Sequence, residues 1–288
     1  MEVRARVGVF DSGFGGLTVL GDAVRVCENT DFFYYGDNGN APYGSKEEEE
    51  IFSFTHAAVR RFAMLGTDAV LLACNTATAI CAERFRREFE FPIIGMEPAV
   101  KLAGMHCKNA LVLSTPKTAE SARLRKLLSV YPNCRFTVCG LPFAAGEIER
   151  RFTAYALGEP GKKAGGDPLT VKTLLRGSNL PRERYDGVVL GCTHYIYYRK
   201  EFSEFFGARV FDGNVGTANR LASALNSRDF DPNGLLRMEN IGIDDHERPF
   251  KNPNIRFLKM RSNRVFFLGN WAKINEFVFI SNVCFRRK

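Results

Sequence analysis

At 288 residues, with 45% hydrophobic and 25% charged side chains, the chain has the composition of a folded globular protein of one or two domains and is long enough to bury its core without disulfide or metal staples. The longest apolar runs fall far short of the ~18 residues that cross a bilayer, and Val7–Phe10 is too short for the apolar segment of a signal peptide. The formal net charge of +8 is matched by residues 251–288, where nine Lys or Arg stand against Glu276 alone. These charges alternate with apolar residues (Ile255, Phe257; Val265, Phe267) rather than forming a run. That pattern fits the solvated face of a folded end better than a nucleic-acid arm.

In chain order, Val7-Gly8-Val9-Phe10 reads as a first strand, and Asp11-Ser12-Gly13-Phe14-Gly15-Gly16 turns into a helix from Leu17. A Gly-rich turn before a helix aims backbone N–H groups at an anion. The spacing is not the dinucleotide fingerprint. Phe32–Tyr35 is a second strand, followed by the polar loop Gly36–Gly44. Ser45 with Glu48 reads as a capping box for a helix that carries Ile51, Phe54, Ala58, Phe62 and Leu65 on one face.

Asp68-Ala69-Val70-Leu71-Leu72-Ala73-Cys74-Asn75-Thr76 comes next, and a near copy of its pattern stands in the second half as Asp186-Gly187-Val188-Val189-Leu190-Gly191-Cys192-Thr193-His194. Short Val/Leu runs read as strands buried on both faces of a parallel sheet, and the polar residues after them lie at the carboxyl ends, where ligands bind in open α/β sheets. Each half thus offers one thiol to a cleft. Between and beyond these, 110–113, 135–139 and 209–212 read as strands, the last returning to the first domain. Pro98 marks a crossing, residues 158–168 form a Gly/Pro-rich loop, and 226–254 are polar and irregular. Strands alternating with helices imply α/β architecture with two doubly wound parallel sheets. The domains expected are 1–97 plus 208–288, and 98–207.

With no signal peptide visible, the eight cysteines are expected as free thiols in a reducing cytosol, and with no C-x-x-C a structural metal site is not expected. Cys27, Cys81, Cys107, Cys134, Cys139 and Cys284 read as core. Cys74 and Cys192 differ through their repeated setting at strand ends.

Phe10-Asp11-Ser12-Gly13 with Gly15-Gly16-Leu17, Ala41-Pro42-Tyr43-Gly44, Ala73-Cys74-Asn75-Thr76-Ala77 and Gly191-Cys192-Thr193-His194-Tyr195 together resemble the glutamate racemases, over roughly residues 5–220. The resemblance implies two flavodoxin-like domains related by a pseudo-twofold axis with the active site between them. It also implies a cytoplasmic homodimer without cofactor or membrane attachment, which interconverts L- and D-glutamate for peptidoglycan. Position by position it implies Cys74 and Cys192 as the two bases, with Asp11 and His194 as their polar neighbours and Glu147 as an auxiliary acid. Ser12, Tyr43, Gly44, Asn75, Thr76, Thr118, Thr193 and His194, with Asp11, are implied to hold substrate. Where the family usually has Pro after the Tyr195 position, this chain has Ile196-Tyr197-Tyr198.

Two thiols flanking one carbon suit proton removal on one face and delivery on the other, and a mild lowering of a thiol's ordinary pKa of about 8.5 supplies thiolate near neutrality. Asp11 is expected to tune Cys74, and His194 to tune Cys192. Alternatives are an aspartate racemase of the same superfamily, a cysteine hydrolase or amidotransferase built on Cys192 and His194, an amino-acid sensor using the basic end, and a pyridoxal-phosphate racemase with Lys117 as its Schiff-base residue.

Overall fold

The computed structural model describes residues 4–156, 169–227, 255–260 and 262–268; side chains 154–156 and 255–260 are described by backbone only. The 158–168 loop, residues 228–254 of the stretch 226–254 expected to be irregular, and the end beyond 268 lie outside the described residues, as does Cys284; Asn226 ends a helix.

Two parallel sheets organise the chain. The first holds β1 (Ala5–Asp11), β2 (Thr30–Gly36), β3 (Ala69–Leu72) and β4 (Ile93–Gly95) in the order β4-β3-β1-β2. The second holds β5 (Asn109–Ser114), β6 (Arg135–Gly140), β7 (Gly187–Gly191) and β8 (Arg209–Asp212) in the order β6-β5-β7-β8. Read from its other edge, that is the same winding: β5 stands for β1, β6 for β2, β7 for β3 and β8 for β4. β3 and β7 are buried along their whole length, as apolar runs covered by helices on both faces must be.

This repeat corrects one expectation. Arg209–Asp212 does not return to the first domain; it pairs with β7, Val188 opposite Val210. The second sheet needs it as the counterpart of β4, and only after it does helix α10 (Asn214–Asn226) pack its Ala218, Leu221 and Leu225 into the core beneath α1 (Leu17–Val26). At the first crossing, Glu97 pairs with Arg123 of the second sheet's α6 (Ala122–Ser129) and, at 3.3 Å, with Arg220 of α10.

Within the basic end, β9 (Ile255–Met260) runs antiparallel to β10 (Asn263–Leu268), and β10 lies parallel to β2. Val265 and Phe267 point into the first core while Phe266 stacks on Phe33 on the other face, ring centroids 5.0 Å apart. Asn263, 1% exposed, spans 233 residues of chain: its Oδ1 accepts the Thr30 N–H at 2.8 Å, and its Nδ2 donates to the carbonyls of Val24 and Cys27. Arg264 and Arg4 meet on Asp31. Through Arg264 the positive end is thus tied to the buried carboxylate of Asp31.

Helix α2 (Glu48–Met64) begins two residues later than the Ser45 cap predicts. Glu47 is its N-cap, and Glu47 and Glu50 form the reciprocal box, the Glu47 N–H donating to Glu50 Oε2 at 3.2 Å. Ser45 is instead the last residue of a short 3-10 turn, Tyr43–Ser45, that keeps Tyr43 buried beside Phe10. Among the described residues, no helix is long and apolar enough to cross a membrane.

Candidate active site between the two sheets

Each thiol sits where a buried strand ends. Ala73 follows β3, and Cys74 then caps α3 (Asn75–Glu88), its Sγ accepting the Ala77 N–H at 3.5 Å. Cys192 follows β7 and leads into the 3-10 turn Thr193–Tyr198. The two are 5% and 6% exposed and line one cavity, together with Ser12, Tyr43, Gly44, Asn75, Thr76, Thr193 and His194. Nine sequence-indicated residues therefore converge on one place. The cavity volume is about 10 Å³, the space of a single water, so an amino acid enters only when the two layers part.

On the Cys74 side, Ser12 Oγ lies 3.4 Å from the sulfur. Asp11 is fully buried behind it: its carboxylate accepts the Gly13 N–H at 3.0 Å and, across the cleft, the Thr193 hydroxyl at 3.3 Å. Burial pushes the Asp11 carboxyl up to about 6, against the positive charge of His194 and the Gly13 N–H, with Glu149 adding to the rise. Burial likewise, and then the charge of Asp11, push the Cys74 thiol up to about 11, although the Ala77 N–H and Ser12 pull the other way. The mild lowering expected from sequence is reversed at this thiol, because burial disfavours the thiolate and the Asp11 carboxylate adds a like-charged neighbour. Cys74 therefore holds its proton at neutral pH.

On the Cys192 side, His194 Nδ1 lies 3.7 Å from the sulfur and its Nε2 lies 2.6 Å from Glu149 Oε2. Burial alone favours neutral imidazole, but hydrogen bonds to Cys192 and Glu149, with the charge of Glu149, hold His194 well above the usual histidine range. The result is a buried imidazolium beside the second sulfur.

Glu149, not Glu147, is the acid at the site. Both lie on α7 (Ala144–Ala156), but two residues of helix are roughly 200° of rotation. Ala144, Ala145 and Ile148 set the buried face, which carries Glu149 into the cleft and turns Glu147 outward to Arg150 and Arg151. Ala145, Glu149 and Phe152 at helical spacing were the signal available in the sequence. Glu149 is also a bridge between layers: it accepts the Phe14 N–H at 3.0 Å and the Asn38 amide. The Gly-rich turn does aim N–H groups at anions, and the anions are the chain's own Asp11 and Glu149. A Cβ on Gly13 would stand 2.4 Å from Glu149 Oε2, and one on Gly15 2.3 Å from Thr193 Oγ1, so the turn can press against the second layer only without side chains.

A hydroxyl cluster spans the cleft. Thr76 Oγ1 lies 2.9 Å from Thr115 Oγ1 and 3.3 Å from Thr118 Oγ1. Thr118 stands behind Thr115, which lines the cavity and which sequence reading missed; it caps the short helix after β5, the β1 counterpart. The Tyr43 hydroxyl donates to Asp37 Oδ2 at 2.6 Å. Asn75 Oδ1 is buried with no hydrogen-bond partner among the described residues. All seven described cysteines are free thiols, and among the described residues no group of three or more His, Cys, Asp or Glu is placed to hold a metal ion.

Because ionising a buried carboxyl costs stability, Asp11→Asn is expected to stabilise the fold. The folded-state pKa lies above the unfolded value of 3.8, so the stability linked to the Asp11 proton is fully present below 3.8 and lost as pH rises through about 6. Above that range the cost is on the order of 3 kcal/mol. Calorimetry should show Asp11→Asn raising Tm by several degrees at pH 8 and by almost nothing near pH 4; turnover should fall in the same variant.

Two doubly wound layers, each delivering a thiol from an equivalent strand end into a shared cavity flanked by acid–base groups, define an enzyme built for proton transfer at one centre. The sequence profile of the Asp/Glu/Hydantoin racemase family matches residues 28–221, and the chain belongs to that family. It is 36% identical over 233 residues to a glutamate racemase of Campylobacter curvus, covering 76% of this chain and 83% of that one. To a glutamate racemase of Halothermothrix orenii it is 38% identical over 225 residues, covering 76% and 85%. Its fold superposes with a TM-score of 0.67 and 29% identity on an Escherichia coli glutamate racemase crystallised with L-glutamate and an activator, over 80% of this chain and 85% of that one.

Proposed function

We propose that this chain is a glutamate racemase that uses two cysteines as its bases and no cofactor. The observation that carries the reading is that Cys74 and Cys192, at the ends of the equivalent strands β3 and β7, line the same cavity. The resting proton sits on Cys74. Cys192, beside the His194 imidazolium that Glu149 holds, is the base for L-glutamate. After the layers close over substrate, Cys192 removes the α-proton from one face and the Cys74 thiol delivers its own to the other. The product leaves an enzyme with its proton moved from Cys74 to Cys192, ready for the reverse reaction.

The α-hydrogen beside a carboxylate is far less acidic than a thiol, so the charge developing on that carboxylate has to be met by preorganised donors in a dry cleft. Thr76, Thr115, Thr118 and Thr193 supply hydroxyls for the carboxylates, with Ser12, Tyr43 and Gly44 on the same walls. The unpartnered Asn75 Oδ1 suits the ammonium group, and Asp11 lies behind as a charge that keeps Cys74 protonated until needed. In the cell, D-glutamate for peptidoglycan, a cytoplasmic location and a homodimer complete the reading, as the family resemblance implies.

The test is chiral chromatography of L-glutamate, L-aspartate and L-glutamine incubated separately with purified protein and no added cofactor. D-Glutamate should accumulate to an equal mixture of enantiomers. Racemisation of aspartate with glutamate left untouched would move the chain to the aspartate branch, and release of ammonia from glutamine would point to an amidotransferase.

A further inference from the structure

Tyr197 belongs to the stretch that departs from the family pattern, and none of the chemistry above uses it. It is half-buried in the turn after Cys192, its ring packed on Phe152 of α7 with centroids 4.3 Å apart. Its hydroxyl crosses to the first layer and donates to the carbonyl oxygen of Phe14 at 3.1 Å. The N–H of that same residue donates to Glu149 Oε2 at 3.0 Å. Both polar groups of one residue in the first layer's Gly-rich turn are therefore gripped by the second layer. Phe14 itself is 2% exposed in the first core, so the grip reaches a rigid part of that layer. The gripped turn carries Asp11 and Ser12, which face Cys74, while the gripping segments carry Cys192, His194 and Glu149.

We propose that Tyr197 is a positioning residue: its hydroxyl latches the Asp11–Gly16 turn to the second layer, and the latch sets how often the cleft opens and exposes both thiols. Glu149 supplies the other half of the grip but is committed to His194, so Tyr197 is the half that can be removed without touching the acid–base groups. Opening at this seam uncovers Cys74 and Cys192 together, since they line one cavity. It leaves Cys27 and Cys81, buried within the first layer's own cores, as they were.

The measurement is peptide-resolved alkylation of the free enzyme by iodoacetamide, comparing Tyr197→Phe with the unsubstituted protein. Phe keeps the ring on Phe152 and deletes only the hydroxyl. When modification passes through transient opening its rate follows the opening equilibrium, so Cys74 and Cys192 should both be alkylated about fivefold faster, the factor that one hydrogen bond's net worth sets. Cys27 and Cys81 should be unchanged. Unaltered rates at both cleft thiols would overturn the latch, as would acceleration at only one of them or an equal rise at all four cysteines. The proposal leans on the racemase reading only for what the latch serves. A parallel arm with saturating L-glutamate separates the two: protection of both thiols in both proteins is expected, and its failure would count against glutamate as ligand while the latch stands on the free-enzyme rates.

Discussion

Replacing Cys192 by Ala is expected to lower racemisation by about 10³-fold in both directions, and Cys74→Ala to do the same, since a positioned acid or base contributes about 10²–10⁴-fold and each stroke here needs one of each. The two enantiomers have equal free energies in water, so kcat/KM must be the same for L- and D-glutamate in every variant. A one-sided loss of kcat/KM would therefore signal an assay fault rather than a base assignment. The double variant should be little worse than either single one, because the thiols act as a unit. Calorimetry of each variant should show a folded protein with Tm lowered by no more than a few degrees, as expected when a small buried side chain is trimmed beside an existing cavity. Full activity in Cys74→Ala would remove it from the mechanism outright.

The second large effect is expected at Glu149→Gln. Gln keeps the shape but presents an amide donor either to His194 or to Asn38, each of which now meets an acceptor. The imidazolium loses its carboxylate, and breaking one half of a buried pair costs about 3–5 kcal/mol. Turnover should fall about 10²-fold. His194 has its folded-state pKa raised above the unfolded value near 6.5, so the pair's stabilisation is fully present below that value and fades as pH rises through the elevated one. The Tm gap between Glu149→Gln and the unsubstituted protein should accordingly be wide at pH 6 and narrow under alkaline conditions. Glu147→Gln is the control: its partners Arg150 and Arg151 lie on the outer face of the helix, where such pairs are worth at most about 1 kcal/mol. It should leave activity within about twofold, and an effect there equal to that at Glu149 would refute the placement of the acid.

The strand-then-cysteine pattern was legible because its signal is local: a short apolar run, an abrupt polar end and a small residue where the chain turns. Its repetition was enough to predict two α/β layers and a shared cleft. The misplaced features all depend on information that local pattern does not hold. Arg209–Asp212 looks the same in either sheet, and only the four-strand winding common to both halves assigns it to β7. Glu147 and Glu149 differ by a rotation of α7, which is fixed by how Ala144, Ala145 and Ile148 seat against the second core. Glu47 displaces Ser45 as a cap because Tyr43 has to be buried first. The basic end reads as a folded end from its alternation, but the seat of β10 beside β2 rests on Asn263 reaching Val24, Cys27 and Thr30, partners far away in sequence. Thr115 carries no motif at all until the sheet brings it opposite Thr76.

That two thiols act from opposite faces is most directly tested by racemising L-glutamate in deuterated water and stopping at a few per cent conversion. The account predicts deuterium at the α-carbon of the newly formed D-glutamate, delivered by the thiol that never met the substrate proton, while the remaining L-glutamate keeps protium. Substrate-derived protium in the product, or equal labelling of both enantiomers from the start, would mean that a single base serves both faces, and the two-thiol account would be wrong.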